Sequence, residues 1–89
     1  MAKHVSKQPD YPVLLCALDL PILKLKGSLK TLSFVAGASV HAPVKIYSPR
    51  CPIVKVEDKI IPGEWHEKQK IAWFDCIFQK GNKVNIILD

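Results

Sequence analysis

Ile71-Ala72-Trp73-Phe74-Asp75-Cys76-Ile77-Phe78 separates its side chains into two sets by simple alternation. Ala72, Phe74, Cys76 and Phe78 fall on one face, and Ile71, Trp73, Asp75 and Ile77 on the other. Aromatic and β-branched residues at a period of two specify a strand with one face against a core. Lys80-Gly81-Asn82-Lys83 follows, where glycine and asparagine accept the positive φ of a tight turn. Val84 to Leu88 then returns as a second apolar strand. The expectation is a long hairpin formed by the last part of the chain.

Working outward, the preceding segments are also short and strand-like. Ser48-Pro49-Arg50 reads as a turn, with Pro49 presetting one φ, and Cys51 to Val56 as the strand after it. Glu57-Asp58-Lys59 is charged, Pro62-Gly63 signals a turn, and residues 64–70 read as an exposed polar loop. Val44 to Tyr47 alternates. Ala38 to His41 reads as strand too, with Pro43 restricting it to an edge or a bend. Ser28 to Val35 fits either a strand or a single helical turn capped by Ser28. In Ile22 to Lys26, Leu23 and Leu25 point one way, and Lys24 and Lys26 the other. Val13 to Leu18 is a continuous apolar run between Pro12 and Pro21 and reads as a strand buried on both faces. Residues 1–10 read as a flexible basic tail ahead of one small domain, 11–89. The sum is an all-β protein, a small barrel or sandwich of about five to seven short strands with at most one helical turn near 28–35.

Composition narrows the functional classes. Hydrophobic residues make up 48% and charged residues 24%, which supports a folded core over disorder. No apolar run approaches the roughly 18 residues of a membrane helix, and the expectation is a cytoplasmic protein without a membrane partner. Cys16, Cys51 and Cys76 are odd in number and far apart, so they read as free, buried thiols rather than a disulfide scaffold. The net charge of +5 is unevenly spread. Up to Lys55 there are eight basic and two acidic residues, giving +6; from Val56 there are five basic and six acidic, giving −1. A positive field confined to one part of a chain suggests an anionic partner.

Catalytic patterns are weak. His4, His41, His66 and the cysteines have no metal-ligand spacing, so no metal and no cofactor are expected. Cys51 follows Arg50, but no general base is placed beside it, and Glu57 and Asp58 are neighbours that face opposite sides of a strand. The chain therefore reads as a non-catalytic binding module. Lys24, Lys26, Lys30, Lys45, Arg50 and Lys55 form a basic face if their strands adjoin, with Tyr47 interleaved in the manner of single-strand binders. Tyr47 and Trp65 are the candidate partner-contact aromatics. Nucleic acid is the first expected partner. The alternative is an acidic protein bound by a small interaction or regulatory module, of a size that suits a phage or plasmid regulator.

Two families share parts of this pattern. Phe34-Val35-Ala36-Gly37-Ala38-Ser39-Val40, the segment Ser48 to Val56, and Cys76-Ile77-Phe78 with Gly81 resemble the YodC-like proteins of unknown function. That likeness covers 34–89 and implies a small SH3-like barrel. Here Ala38 replaces an acidic residue of the family pattern, and Phe78 stands where tryptophan is usual. Pro21 to Gly27, Phe34, Gly37 and Val40, and Cys51-Pro52-Ile53-Val54 are similar to the SymE-type pattern over 21–54. That likeness implies an AbrB-like swapped hairpin, a homodimer and nucleic-acid binding. It leaves 57–89 outside its pattern.

Overall fold

The computed structural model describes residues 10–88, so the tail expected at residues 1–10 lies outside them apart from Asp10. Among these residues nine strands follow one another, more than the five to seven expected: β1 (Val13–Ala17), β2 (Ile22–Gly27), β3 (Thr31–Ala36), β4 (Val40–Tyr47), β5 (Ile53–Val56), β6 (Lys59–Ile60), β7 (Glu64–His66), β8 (Ile71–Phe78) and β9 (Lys83–Ile87). No helix occurs among the described residues. The strands form two antiparallel sheets, ordered β1-β4-β8-β7 and β2-β3-β9-β5-β6, hereafter sheets A and B. Neither sheet closes on itself.

The alternation in the sequence fills the space between the sheets. Ala42, Val44 and Ile46 of β4 and Ala72, Phe74 and Phe78 of β8 point inward from sheet A. Leu32, Phe34 and Ala36 of β3, Val54 and Val56 of β5, and Val84 and Ile86 of β9 meet them from sheet B. Burying each large side chain contributes roughly 1.5–3 kcal/mol, so this single layer holds the fold. Pro43 is tolerated within β4 because β1 stops at Ala17, opposite Val44. At Pro43 only β8 flanks the strand, through Asp75.

Several expectations are corrected. The C-terminal strands are not a hairpin of one sheet. Both sides of β8 are occupied, by β4 and β7, so Gly81 and Asn82 turn the chain across to sheet B, where β9 fits between β3 and β5. That corner is closed by Gly81 N–H donating to Ala36 O at 2.8 Å and Ala36 N–H to Asn82 O at 2.9 Å. Gly81 has φ +92, and Asn82 Oδ1 accepts Gln79 N–H at 2.8 Å. The segment 28–35 holds no helical turn. Ser28 and Thr31 close the β2–β3 turn through their hydroxyls, 2.7 Å apart, and Leu32 and Phe34 alternate into the core instead. β1 is an edge strand with exposed Leu15 and Cys16, not a strand buried on both faces. Residues 64–66, expected in a loop, pair with β8 as β7.

The cysteines also differ from expectation. Cys16 and Cys51 are exposed and Cys76 is half-buried; all three are free. Cys51 precedes β5, at the corner where the chain leaves sheet A for sheet B. Ser48 is the buried residue of that corner. Its N–H donates to Lys70 O at 2.9 Å, and its hydroxyl donates to Arg50 O. A fully buried serine needs both partners, since an unsatisfied hydroxyl there would be costly.

Candidate nucleic-acid interface

The outer face of sheet B is built by cross-strand register. Lys26 of β2 pairs with Ser33 of β3, Ser33 with Asn85 of β9, and Asn85 with Lys55 of β5. These four side chains stand in one row across the sheet. The next row is Leu23, Val35 and Lys83. Strands are spaced about 4.8 Å apart, so Lys26 and Lys55 stand about 14 Å apart across the row.

A bulge brings in a further lysine. The register of β2 against β3 shifts between Leu23 and Lys26, and Lys24 takes φ 52. The expected alternation of Leu23 and Leu25 against Lys24 and Lys26 is therefore broken. Leu23 and Lys26 both face outward beside β3, while Leu25 lines a separate groove near β1. Lys24, Lys26, Ser33, Lys83 and Asn85 share a shallow groove of about 220 Å³ on this face.

One carboxylate, that of Glu57, borders the face. The outward positions of β2, β3, β9 and β5 that are set by register carry no Asp or Glu among the described residues. Glu57, in the β5–β6 turn with φ 56, stands at its rim. Its carboxylate accepts Lys83 N–H at 2.6 Å, and its own N–H donates to Lys83 O at 2.8 Å, which extends the β5–β9 ladder. Among the described residues, Lys24, Lys26, Lys55 and Lys83 take part in none of the ion pairs, which join His41 to Asp75, His66 to Glu64 and Lys70 to Glu67.

The structure distributes the expected site residues over both sheets. Lys24, Lys26 and Lys55 share the outer face of sheet B. Lys30 lies in the β2–β3 turn at its end, and Arg50 lies in the β4–β5 corner. Lys45 and Tyr47 belong to the outer face of sheet A, because β4 is a strand of that sheet. Lys45 Nζ sits 4.7 Å from the centre of the Trp73 ring, a cation–π contact.

No family model, curated protein or solved structure matches this chain.

Trp65 is not the exposed aromatic expected of it, and Trp73, for which no role was expected, is. Trp65 is half-buried against the core, and its indole N–H donates to Glu67 Oε1 at 2.8 Å. Lys70 also binds that carboxylate, and these two hydrogen bonds hold the Glu67 carboxyl below its ordinary range. Trp73 is the exposed indole, at 44%, on the outer face of sheet A beside Lys45. Lys83 is the lysine that composition hid, since it lies in the net-acidic part of the chain. The signal that finds it is the alternation of Lys83, Asn85 and Ile87 opposite buried Val84 and Ile86.

No cluster of three or more His, Cys, Asp or Glu that could hold a metal occurs among the described residues. No helix among them is long and apolar enough to cross a membrane.

Proposed function

We propose that this protein is a non-catalytic module that binds nucleic acid on the outer face of sheet B. The carrying observation is the row Lys26–Ser33–Asn85–Lys55, flanked by Lys24 and Lys83 on a face whose register positions hold no carboxylate. The lysines take phosphates, and Ser33 and Asn85 offer hydrogen-bond donors between them. The row, about 14 Å across, matches about four steps of 3.4 Å along the axis of a duplex. No aromatic side chain stands among these register positions, so binding follows the backbone with little sequence preference. As to architecture, we place the chain among partly open SH3-like barrels, in keeping with the YodC-like likeness of 34–89. The repeated crossing of strands between the sheets supports that assignment.

Anisotropy titration of labelled single- and double-stranded oligonucleotides tests the proposal. Binding that weakens steeply with salt, and weakens further when the four lysines are neutralised, is the expected result. Absence of binding at low salt would refute it.

A second proposal, an acidic protein as partner, is favoured by exposed Trp73 with Lys45 and Tyr47 on sheet A. Loss of a stoichiometric protein complex in Trp73→Ala, with oligonucleotide binding absent from the parent chain, would place function there instead.

A further inference from the structure

The row Lys26–Ser33–Asn85–Lys55 has an order as well as a composition. Its two cations stand at the ends, and its two neutral polar side chains stand in the middle. Beyond Lys55, β6 continues the row with Ile60, which adds no charge. Ser33 and Asn85 are half-buried, and their side chains hydrogen-bond to no other described residue. Each therefore offers a donor and an acceptor to a bound molecule. By length alone the row fits a duplex lengthwise or crosswise; its order decides between them. Lengthwise, Ser33 and Asn85 would take the middle phosphates, with no cation there. Crosswise, Lys26 and Lys55 meet phosphates of the two strands, and the middle pair meets what lies between them, the floor of a groove.

We infer that this groove is the minor groove of an A-form duplex and that the partner is double-stranded RNA, an inference that rests on the nucleic-acid face proposed above. Width and depth decide it. The grooves of B-form DNA are about 6 and about 12 Å wide and about 7.5–8.5 Å deep. The outer strands of the row, β2 and β5, lie about 14 Å apart. A face that broad does not enter either groove, and from the rim side chains as short as Ser33 and Asn85 do not reach either floor. The A-form minor groove is wide and shallow, and it displays 2′-hydroxyls. A 2′-hydroxyl is donor and acceptor at once, which matches the Asn85 amide and the Ser33 hydroxyl.

A single strand is disfavoured for a different reason. Its unpaired bases are held by stacking on aromatic rings, and the outward register positions of this face carry none. Phe34, the aromatic residue of β3, is buried between the sheets. The duplex is therefore read by its shape, its phosphates and its sugars, and not by its base sequence.

Competition anisotropy on the full chain tests it, with one sequence prepared as an RNA duplex, a DNA duplex, a 2′-O-methyl RNA duplex and single-stranded RNA. The RNA duplex is expected to bind about tenfold or more tighter than the DNA duplex or the single strand. The 2′-O-methyl duplex keeps the A-form and the phosphates but lacks the hydroxyl donor, and it is expected to bind about threefold to tenfold more weakly than the RNA duplex. Asn85→Ala is expected to lose a similar factor on the RNA duplex and little on DNA, with methylation then adding little. Its salt slope should match that of the parent chain, because no charge is removed. Equal affinity for the RNA and DNA duplexes, or tighter binding of the single strand, overturns the inference and leaves the basic face standing. A methylation effect undiminished in both Asn85→Ala and Ser33→Ala does the same. No binding of any of the four at low salt removes the nucleic-acid reading itself, and this inference with it.

Discussion

Neutralising Lys26 and Lys83 separately, with Lys45 as the control, distinguishes a basic face from a merely basic protein. All three substitutions remove one charge, so the net charge falls equally. Only Lys26 and Lys83 lie on the outer face of sheet B; Lys45 lies on the opposite sheet. Four lysines on the phosphates give a slope of log K against log salt of about −2.8 for a single strand and about −3.6 for a duplex. Raising salt fourfold, from about 50 to about 200 mM, then costs about 50-fold in affinity for a single strand and about 150-fold for a duplex. Lys26→Gln or Lys83→Gln should reduce the slope by about 0.7–0.9, bringing the loss to about 20–40-fold. Lys45→Gln should leave the slope unchanged. Anisotropy at four or five salt concentrations reads these slopes directly. Equal effects from all three substitutions would refute the placement of the site, since binding would then follow total charge.

Three further outcomes test the fold. Gly63→Ala would set a Cβ 2.7 Å from Trp73 O and 3.0 Å from Phe74 Cβ, and backbone cannot yield as a flexible side chain can. It should destabilise by about 1–3 kcal/mol in urea denaturation, against about 1 kcal/mol for Gly81→Ala, where the space is open but φ is +92. Phe34→Ala removes a fully buried ring and should cost about 3–5 kcal/mol, a large part of the roughly 5–15 kcal/mol that holds an ordinary domain; a shift in midpoint below that of Gly81→Ala would contradict its central place in the core. In the native protein, Ellman's reagent should modify exposed Cys16 and Cys51 rapidly and Cys76 slowly. Burial pushes the Cys76 thiol up, and the Asp75 charge adds to it. Three equal rates before unfolding would contradict that burial.

Strand positions and inward faces were legible because alternation is local. Phe74 and Phe78 in β8, and Val44 and Ile46 in β4, announce their direction from neighbours two residues away. The ambiguity at Ser28 to Val35 was also physical. A short apolar segment satisfies helical and extended spacing alike until something packs on it, and here β9 pairs along β3 from Thr31 to Val35. The bulge at Lys24 left no trace in a pattern that alternates evenly. It became visible only as a register shift against β3.

Charge shows the same division. The excess of lysine before Lys55 is a property of the chain and needs no fold. Which lysines act together is not, because strands adjacent in sequence cross between sheets while strands distant in sequence pair. β9 lies between β3 and β5, and so it carries Lys83 to Lys24, Lys26 and Lys55; β4 carries Lys45 away to sheet A. Local alternation determined the all-β class and the core. The tertiary pairing decided the surface, because the ladder that sets neighbours on a face joins residues up to about sixty positions apart, beyond the range of any periodicity.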